Sequence, residues 1–435
     1  WTWYVQALTR AMRVVAAYLE ETAPLVLWMR QDRYLAEAVL LAAASAGFVP
    51  VSGAAQAREI SPLSSSGAEV VALFRRGRPA APRVESEQVL DQMARSAVRD
   101  LLVGLQEPAS FAQLWAACYW RMLEEGDLPR LFAAQGGLLE MARSVEGQLR
   151  KALAALAEEG QVEGMGPWEE PAGEAASAAR WPQFWRWRRP WEEDFPLTDR
   201  VESLVWAWLL EHPGQRAEHL FREVYARFGG LCTPPAGWVE ECLRSYGHVE
   251  EGGTWRLRSE DHPERRWEEL LSLLDALHTL GQALGFRVVA RSEHVGQCRT
   301  CWGEMPASLG RGPSQEGVLP FPFAVGWLDE GRLQYAFALS WTSSVLPVVV
   351  GTGNGPAALR RCLVFPGGRS SLLHYRQTRA AWLPSFLSRG NWRFVKFRHL
   401  RQLAAEPQGV SRARLEHIFG LDPIVERPDA QMSLF

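Results

Sequence analysis

Residues that could bind a metal lie close together at one place in the chain. His294, Cys298 and Cys301 occur within HVGQCRTCWGE, where the two thiols have the CxxC spacing of zinc ligands. A structural zinc site takes four ligands, usually two such pairs. The second pair is missing from this sequence. The pattern therefore favours a loop that carries two thiols over a metal centre.

A glycine-rich segment has the outline of a nucleotide- or S-adenosylmethionine-binding turn. VVVGTGNGPAALRR places Gly351, Gly353 and Gly355 between a predicted strand and a predicted helix. Pro356 closes the loop, the spacing is not GxGxxG, and no acidic residue follows that could bind a ribose. These departures favour an ordinary loop.

The segment AVGWLDEGRLQYAFALSWTSSV predicts a hairpin of the kind found at the centre of restriction-nuclease-like folds. Those folds hold a metal with Asp on one strand and Glu-x-Lys on the next. Ala324 or Gly326 stands at the first position here, and Ala338 and Ser340 stand at the second. We therefore expect the nuclease chemistry to be lost. Together with the absence of Ser-His-Asp and Walker A patterns, this predicts no catalytic, cofactor-binding or metal-binding residues.

Length and composition indicate a multidomain globular protein. A chain of 435 residues, 47% hydrophobic and 22% charged, is expected to form three or four domains. No apolar run reaches the roughly 18–20 residues of a membrane span. The scattered cysteines indicate a reducing compartment, so we expect a cytoplasmic protein. A start at Trp1 without methionine suggests a fragment or a processed form.

A long carboxy-terminal stretch contains basic residues and no acidic ones. From 331 to 405 there is no Asp or Glu. Such a stretch predicts a surface that faces a polyanion, and we favour nucleic acid. The alternative is an acidic patch of the same protein docking there. The basic residues are Arg332, Arg360, Arg361, Arg369, Arg376, Arg379, Arg389, Arg393, Lys396, Arg398 and Arg401.

The first half of the chain divides into three predicted segments. Residues 1–80 read as helix, strand, helix, strand, strand, which indicates a parallel sheet covered by helices. Residues 86–160 show helical periodicity throughout. Residues 161–196 are rich in Trp and Pro and predict a linker. Its tryptophans could stack on bases, but we favour the interpretation that they anchor the linker by packing against a domain. They are Trp181, Trp185, Trp187 and Trp191.

Residues 197–258 predict three helices followed by a hairpin with Gly252-Gly253 as its turn, the arrangement of a winged helix. The third helix would offer Arg244 and Ser245 to DNA, and the hairpin would offer Arg256 and Arg258 to phosphates. Acidic neighbours in both elements oppose DNA binding, so a protein-contact role stays open.

Residues 263–420 predict a basic α/β domain, nuclease-like in outline and inactive. Its DNA-contacting candidates are Arg393, Lys396, Arg398 and Arg401. The fold class expected for the whole chain is therefore multidomain α/β. It combines a partial Rossmann-like sheet, a helical region, a winged helix and a degenerate nuclease-like domain.

Two stretches carry a family resemblance. PLVLWMRQDRYLAEAVLLAAASAGFVPVS with GAEVVALFRR resembles the closing half of an amino-directed DNA methyltransferase domain, whose final strand returns antiparallel. TPPAGWVEECLRSYG, GGTWRLRSEDHPERR, CLVFPGGRSSLLHYR and NWRFVKFRHLRQLA resemble the carboxy-terminal extension of large prokaryotic DNA methylases. Such proteins belong to restriction and phage-defence loci. The resemblance implies binding to double-stranded DNA.

The resemblance also implies a missing part. These methyltransferases carry a D/N-P-P-Y/F tetrapeptide and an F-x-G-x-G turn, and neither occurs in this sequence. S-adenosylmethionine would therefore bind only if a catalytic half, upstream or in a partner chain, completed the domain.

The last residues, 421–435, form a tail that ends in QMSLF. This end is similar to the Q-x-x-L-F peptide with which bacterial DNA-processing proteins dock on the replication sliding clamp. The resemblance implies that Gln431, Met432, Leu434 and Phe435 bind a partner, with Leu and Phe filling an apolar pocket. The alternative is a tail folded back on the last helix.

Two functions remain open, whereas a third, an S-adenosylmethionine enzyme that uses GTGNG and binds the cofactor without a partner, is disfavoured. The first is the DNA-engaging carboxy-terminal part of a methyltransferase-like defence protein. The second is a non-enzymatic scaffold that binds protein partners or other defence subunits. Salt-dependent DNA affinity distinguishes them, because only the first requires it.

Overall fold

The computed structural model shows a mixed α/β protein with several small sheets and one five-stranded sheet. It forms two compact units, Trp1–Leu197 with Tyr225–Pro235 and Thr198–Val224 with Ala236–Phe435. The residues that the structure describes are 2–29, 33–58, 67–77, 87–165, 184–188, 195–290, 323–345, 348, 359–380 and 382–418.

The first unit begins with a three-stranded sheet. Helix α1 (Thr2–Tyr18) precedes strand β1 (Leu25–Met29), and helix α2 (Arg33–Ser45) leads to β2 (Phe48–Arg58) and β3 (Gly67–Arg76). The strand order is β1-β3-β2, and β3 pairs antiparallel with both neighbours. Strands β1 and β2 are therefore parallel to each other and joined by α2, but they do not pair, because β3 lies between them. Both pairings described in this sheet are antiparallel, so the prediction of a parallel sheet for residues 1–80 is wrong.

The helical region predicted at 86–160 is observed as four helices: α3 (Glu87–Leu105), α4 (Phe111–Glu124), α5 (Leu128–Gln135) and α6 (Leu138–Glu158). Helix α4 begins with a capping box. The Gln113 N–H donates to Ser110 Oγ at 3.2 Å, and the Ser110 N–H donates to Gln113 Oε1 at 2.9 Å. These bonds satisfy N–H groups that the first helical turn leaves without partners.

Helix α4 packs tightly against the first sheet. The Trp120 ring lies over Gly53 of β2, where an added Cβ would be 2.4 Å from a ring carbon. Tyr119 donates a 2.8 Å hydrogen bond to the Glu37 carbonyl of α2. Only glycine permits the approach at position 53, so the sheet and the helices share one core.

Part of the predicted linker forms a sheet. Strands β4 (Ala109–Ser110), β5 (Val162–Met165) and β6 (Phe184–Trp187) pair antiparallel in the order β4-β6-β5. Trp185 is buried in the core, as the packing-anchor interpretation requires. Trp187 is half-buried, and Trp181 and Trp191 lie outside the described residues.

The next elements run helix, strand, helix, helix, strand, strand. They are α7 (Leu197–Glu211), β7 (Gln215–Arg216), α8 (Ala217–Arg227), α9 (Ala236–Tyr246), β8 (Gly247–Val249) and β9 (Thr254–Leu257). The three strands pair antiparallel in the order β7-β9-β8. The predicted hairpin turn is present, with Gly252 and Gly253 at φ values of 90° and 77°.

Helix α10 (Pro263–Ala283) introduces the five-stranded sheet of the second unit. The strands are β10 (Arg287–Ala290), β11 (Val325–Asp329), β12 (Arg332–Leu339), β13 (Arg360–Phe365) and β14 (Trp392–Lys396), in that spatial order. Strands β10, β11 and β12 form an antiparallel meander, whereas β12, β13 and β14 are parallel.

The sheet is joined to α10 through a close contact and is followed by short helices. A Cβ at Gly281 would lie 2.5 Å from Val288 and 2.7 Å from Trp327 Nε1. The Trp327 indole donates to the Leu277 carbonyl at 3.1 Å. The remaining helices are α11 (Ser370–Arg379), α12 (Leu383–Arg389), α13 (Phe397–Ala405) and α14 (Arg412–Ile418).

Among the residues described, no helix combines the length and apolarity that crossing a membrane would require.

Candidate nucleic-acid interface

Helix α9, the predicted recognition helix, presents a face without excess positive charge. The Arg244 side chain is 57% exposed and pairs with Glu240 at 2.9 Å and with Glu241. These pairs have the i,i+4 and i,i+3 spacings of neighbours on a helix surface. Because two carboxylates share one guanidinium, this face is poorly suited to attract a DNA backbone.

Ser245 lies on a flank of α9 that the same unit covers. Its hydroxyl donates a 2.8 Å hydrogen bond to the Gly368 carbonyl. Arg369 donates to the Ser245 carbonyl at 2.8 Å and to its Oγ at 2.9 Å. Ser245 is buried by this contact and cannot reach a duplex, so we remove it from the predicted DNA-contacting set.

The two arginines predicted to contact phosphates from the hairpin have partners within the protein. Arg256 pairs with Glu250 at 2.7 Å. Arg258 donates to the Gly247 carbonyl at 3.1 Å and to the Arg244 carbonyl at 3.0 Å. Arg258 therefore closes the carboxy-terminal end of α9, where cationic side chains interact favourably with free carbonyl groups.

The four carboxy-terminal candidates differ in accessibility. Lys396 is buried at the junction of β14 and α13, so it too leaves the predicted set. Arg393 and Arg398 are half-buried, and Arg393 donates to the Trp392 carbonyl at 2.9 Å. The Arg401 side chain is 51% exposed and pairs with Glu269 at 2.9 Å. Arg393, Arg398 and Arg401 thus remain candidates.

Some arginines of the acid-free stretch neutralise buried carboxylates. Asp261 is fully buried, and its Oδ1 accepts hydrogen bonds from Arg369, from Trp341 Nε1 at 2.7 Å and from Arg266 at 3.3 Å. The Arg266 guanidinium also lies 4.2 Å from the Trp206 ring centroid. A buried carboxylate requires such pairing, because burial of an isolated charge is costly.

A second group of buried charges joins α7 to α11. Arg376 donates to Asp199 Oδ1 at 2.5 Å and lies 3.5 Å from Glu202 Oε2. Ser344 Oγ donates to Asp199 Oδ2 at 2.5 Å. The Ser343 N–H and Oγ donate to Glu202 at 2.8 and 2.6 Å. Both carboxylates are thereby held by the segment that follows β12 and by α11.

These two groups form what we call the buried ionic cluster: Asp199, Glu202, Asp261, Arg266, Arg369 and Arg376. Its formal charges balance. Burial alone would raise the pKa of Asp261, but Arg369 and Arg266 outweigh it and lower that pKa. Burial would lower the pKa of Arg369, and the adjoining Asp261 carboxylate raises it instead.

Sequence reasoning did not assign the buried ionic cluster to any site. Two signals pointed towards it. Asp199 and Glu202 have i,i+3 spacing within an apolar helix, and Arg369 and Arg376 have i,i+7 spacing in the acid-free stretch. The alternative interpretation of that stretch, docking of the protein's own acidic residues, accounts for Arg369 and Arg376.

The positions at which a nuclease-like fold would carry its metal ligands hold alanine, glycine or a serine that forms a hydrogen bond within the protein. Ala324 and Ala338 are buried, and Gly326 pairs with Ala336 across the sheet. Ser340 is buried and donates to the Thr342 carbonyl at 2.9 Å. Within the described ranges, no group of three or more His, Cys, Asp or Glu side chains could hold a metal ion.

Several predicted features lie outside the described residues. They are the thiol loop with His294, Cys298 and Cys301, the glycine-rich loop with Gly351, Gly353 and Gly355, and the tail with Gln431, Met432, Leu434 and Phe435.

Comparison with known proteins returned no match to the chain among protein-family models, curated proteins or solved structures.

Proposed function

We propose that this chain is the DNA-engaging carboxy-terminal part of a DNA methyltransferase-like protein of restriction or phage defence. The observation that carries the proposal is the first sheet. Its final strand, β3, lies between β1 and β2 and runs antiparallel to both. The antiparallel return of this strand is what the resemblance to amino-directed methyltransferases implies for the closing half of the domain.

The chain does not methylate DNA by itself in this proposal. The sequence lacks the target-binding D/N-P-P-Y/F tetrapeptide and the F-x-G-x-G cofactor turn. S-adenosylmethionine would enter with a catalytic half that completes the sheet. The role of this chain is to engage DNA and to hold partners.

The proposed DNA contact lies on β14 and α13 and not on α9. We interpret Leu197–Leu257 as a winged helix from its order of elements, but the exposed face of α9 is charge-balanced and one flank is covered. Arg393, Arg398 and Arg401 lie on consecutive elements with no acidic residue between them. One carboxylate, Glu269 of α10, pairs with Arg401, so the three arginines keep an excess of positive charge. Phosphate contacts by such arginines give affinity without sequence information.

The test is binding of a fluorescent duplex by the chain at about 50 and about 200 mM salt. We expect affinity to fall as salt rises. The triple variant Arg393→Ala, Arg398→Ala and Arg401→Ala should lower affinity at least about tenfold and reduce the salt slope by about three.

Arg265→Ala is the matched control, because the Arg265 side chain is 70% exposed and pairs with Glu268 at 2.9 Å on α10. It should leave binding almost unchanged. Absence of binding at the lower salt concentration would contradict the DNA-engaging proposal.

A second function, a non-enzymatic protein-docking scaffold, is favoured by the buried ionic cluster. Arg369 and Arg376 form buried ion pairs within the cluster, so they cannot contribute to a polyanion-binding surface. The scaffold predicts no salt-dependent DNA binding.

For either function we propose that the tail docks on the replication sliding clamp through Gln431, Met432, Leu434 and Phe435. Deletion of residues 431–435 should abolish binding to purified clamp.

A further inference from the structure

Arg401 is the most exposed of the three arginines that we propose to contact DNA, and it already has an anionic neighbour. Its side chain is 51% exposed, whereas Arg393 and Arg398 are half-buried. The Arg401 guanidinium lies 2.9 Å from Oε1 of Glu269 on α10. A DNA phosphate that reaches Arg401 therefore meets a cation that a carboxylate of the same protein partly neutralises.

Packing of two helices holds Glu269 at this position. Helix α13 packs against α10, and both helices bury leucines, among them Leu400 on α13 and Leu270 on α10. The Glu269 side chain is only 18% exposed, while the arginine beside it stays open to solvent. The carboxylate is thus a fixed neighbour of the Arg401 side chain.

The contact between Glu269 and Arg401 is an ion pair that another anion can replace. Oε1 of Glu269 accepts no hydrogen bond from any residue that the structure describes. Ion pairs that involve an exposed guanidinium contribute little to stability, whereas a phosphate can accept two parallel hydrogen bonds from arginine. Burial raises the pKa of Glu269, and Arg401 lowers it by a smaller amount, so the cation offsets only part of the cost of burying this carboxylate.

We propose that Glu269 competes with DNA phosphate for Arg401 and thereby limits the DNA affinity of this surface. The inference rests on the proposed DNA-engaging function and assigns a regulating residue to it. A phosphate at Arg401 lies within a Debye length of Glu269, which is about 10 Å at 0.1 M salt. It must therefore displace the carboxylate or be repelled by it. Because phosphate contacts carry no sequence information, the competition keeps sequence-independent binding weak.

The test measures binding of the fluorescent duplex by the full chain with Glu269→Gln, which removes the charge and keeps the shape of the side chain. We expect this variant to bind at least about threefold more tightly than the wild type at about 50 mM salt. The gain should shrink at about 200 mM salt, because salt screens the competing charge.

Glu268→Gln is the matched control. It removes the same charge from the next position of α10, but Glu268 pairs with Arg265 at 2.9 Å, and successive helical residues point about 100° apart. This variant should bind DNA as the wild type does. Thermal unfolding of both variants checks that each is folded.

A double-mutant cycle assigns the effect to Arg401. In the background of Arg401→Ala, Glu269→Gln should produce less than about half of the gain that it produces in the wild type, because competition requires the cation. A gain of full size in that background would overturn the proposal, as would equal gains from Glu268→Gln and Glu269→Gln or no gain from Glu269→Gln. Each of these results leaves the DNA-engaging function standing. Duplex binding by none of the proteins at the lower salt concentration would overturn that function together with the competition.

Discussion

Arg376 donates a 2.5 Å hydrogen bond to Asp199, although 177 residues separate them in the chain. Neither residue is accessible to water to any useful extent, since both are buried. The contact therefore links the start of α7 to α11 through an ion pair that water cannot replace. Arginines of the acid-free stretch thus find their carboxylate partners in α7, far away in the sequence.

Replacement of Arg376 by Met should strongly destabilise the second unit. The change leaves Asp199 and Glu202 buried without their cation, which typically costs about 3–5 kcal/mol. Urea unfolding followed by amide exchange in α10 measures the effect. Arg244→Met is the comparison, because its pairs are exposed and should contribute less than about 1 kcal/mol. Equal effects of the two changes would contradict the role assigned to Arg376.

Asp261 should make the stability of the second unit depend on pH in the acidic range. Its pKa is lowered in the folded state because Arg369 and Arg266 outweigh the effect of burial. The stabilisation is therefore complete above the unfolded pKa of about 3.9 and is lost as pH falls from there through the lower pKa of the folded state. The difference in unfolding free energy between the wild type and Asp261→Asn should shrink between these two pKa values.

Two glycines should respond in opposite directions to the same substitution. Gly53→Ala places a Cβ 2.4 Å from the Trp120 ring, so we expect destabilisation of about 1–3 kcal/mol from overpacking. Gly147 lies within α6 with nothing within 4 Å of an added Cβ. Gly147→Ala should therefore stabilise the first unit by about 0.5–1 kcal/mol. Thermal unfolding of both variants checks the pair.

Buried cysteines should resist alkylation in the folded protein. Burial raises the pKa of Cys118 to about 12, so almost no thiolate forms near neutral pH. Cys242 and Cys362 are also buried, with raised pKa values. Cys232 is only half-buried and should react first among these four with iodoacetamide, as read by peptide mass spectrometry. Rapid labelling of Cys118 would show that α4 is not packed as described.

Local patterns predicted the elements well where short-range chemistry fixes them. Apolar periodicity predicts the helices of 86–160. The Gly252-Gly253 pair predicts the turn, because glycine readily adopts the positive φ observed at both positions. The destinations of charged side chains could not be predicted in the same way. Arg369 pairs with a residue 108 positions away, and no local pattern records such a partner. The prediction that Ser245 and Lys396 contact DNA is wrong for the same reason. Both side chains are buried, and the local sequence around a residue does not show which distant elements cover it.

The buried ionic cluster also restricts how this protein can evolve. Its carboxylates come from α7 and Ser259–Asp261, and two of its cations come from the segment after β13. A recombination event between these regions would join acids and arginines that had never been selected together. The regions that contribute the cluster are therefore expected to be inherited together.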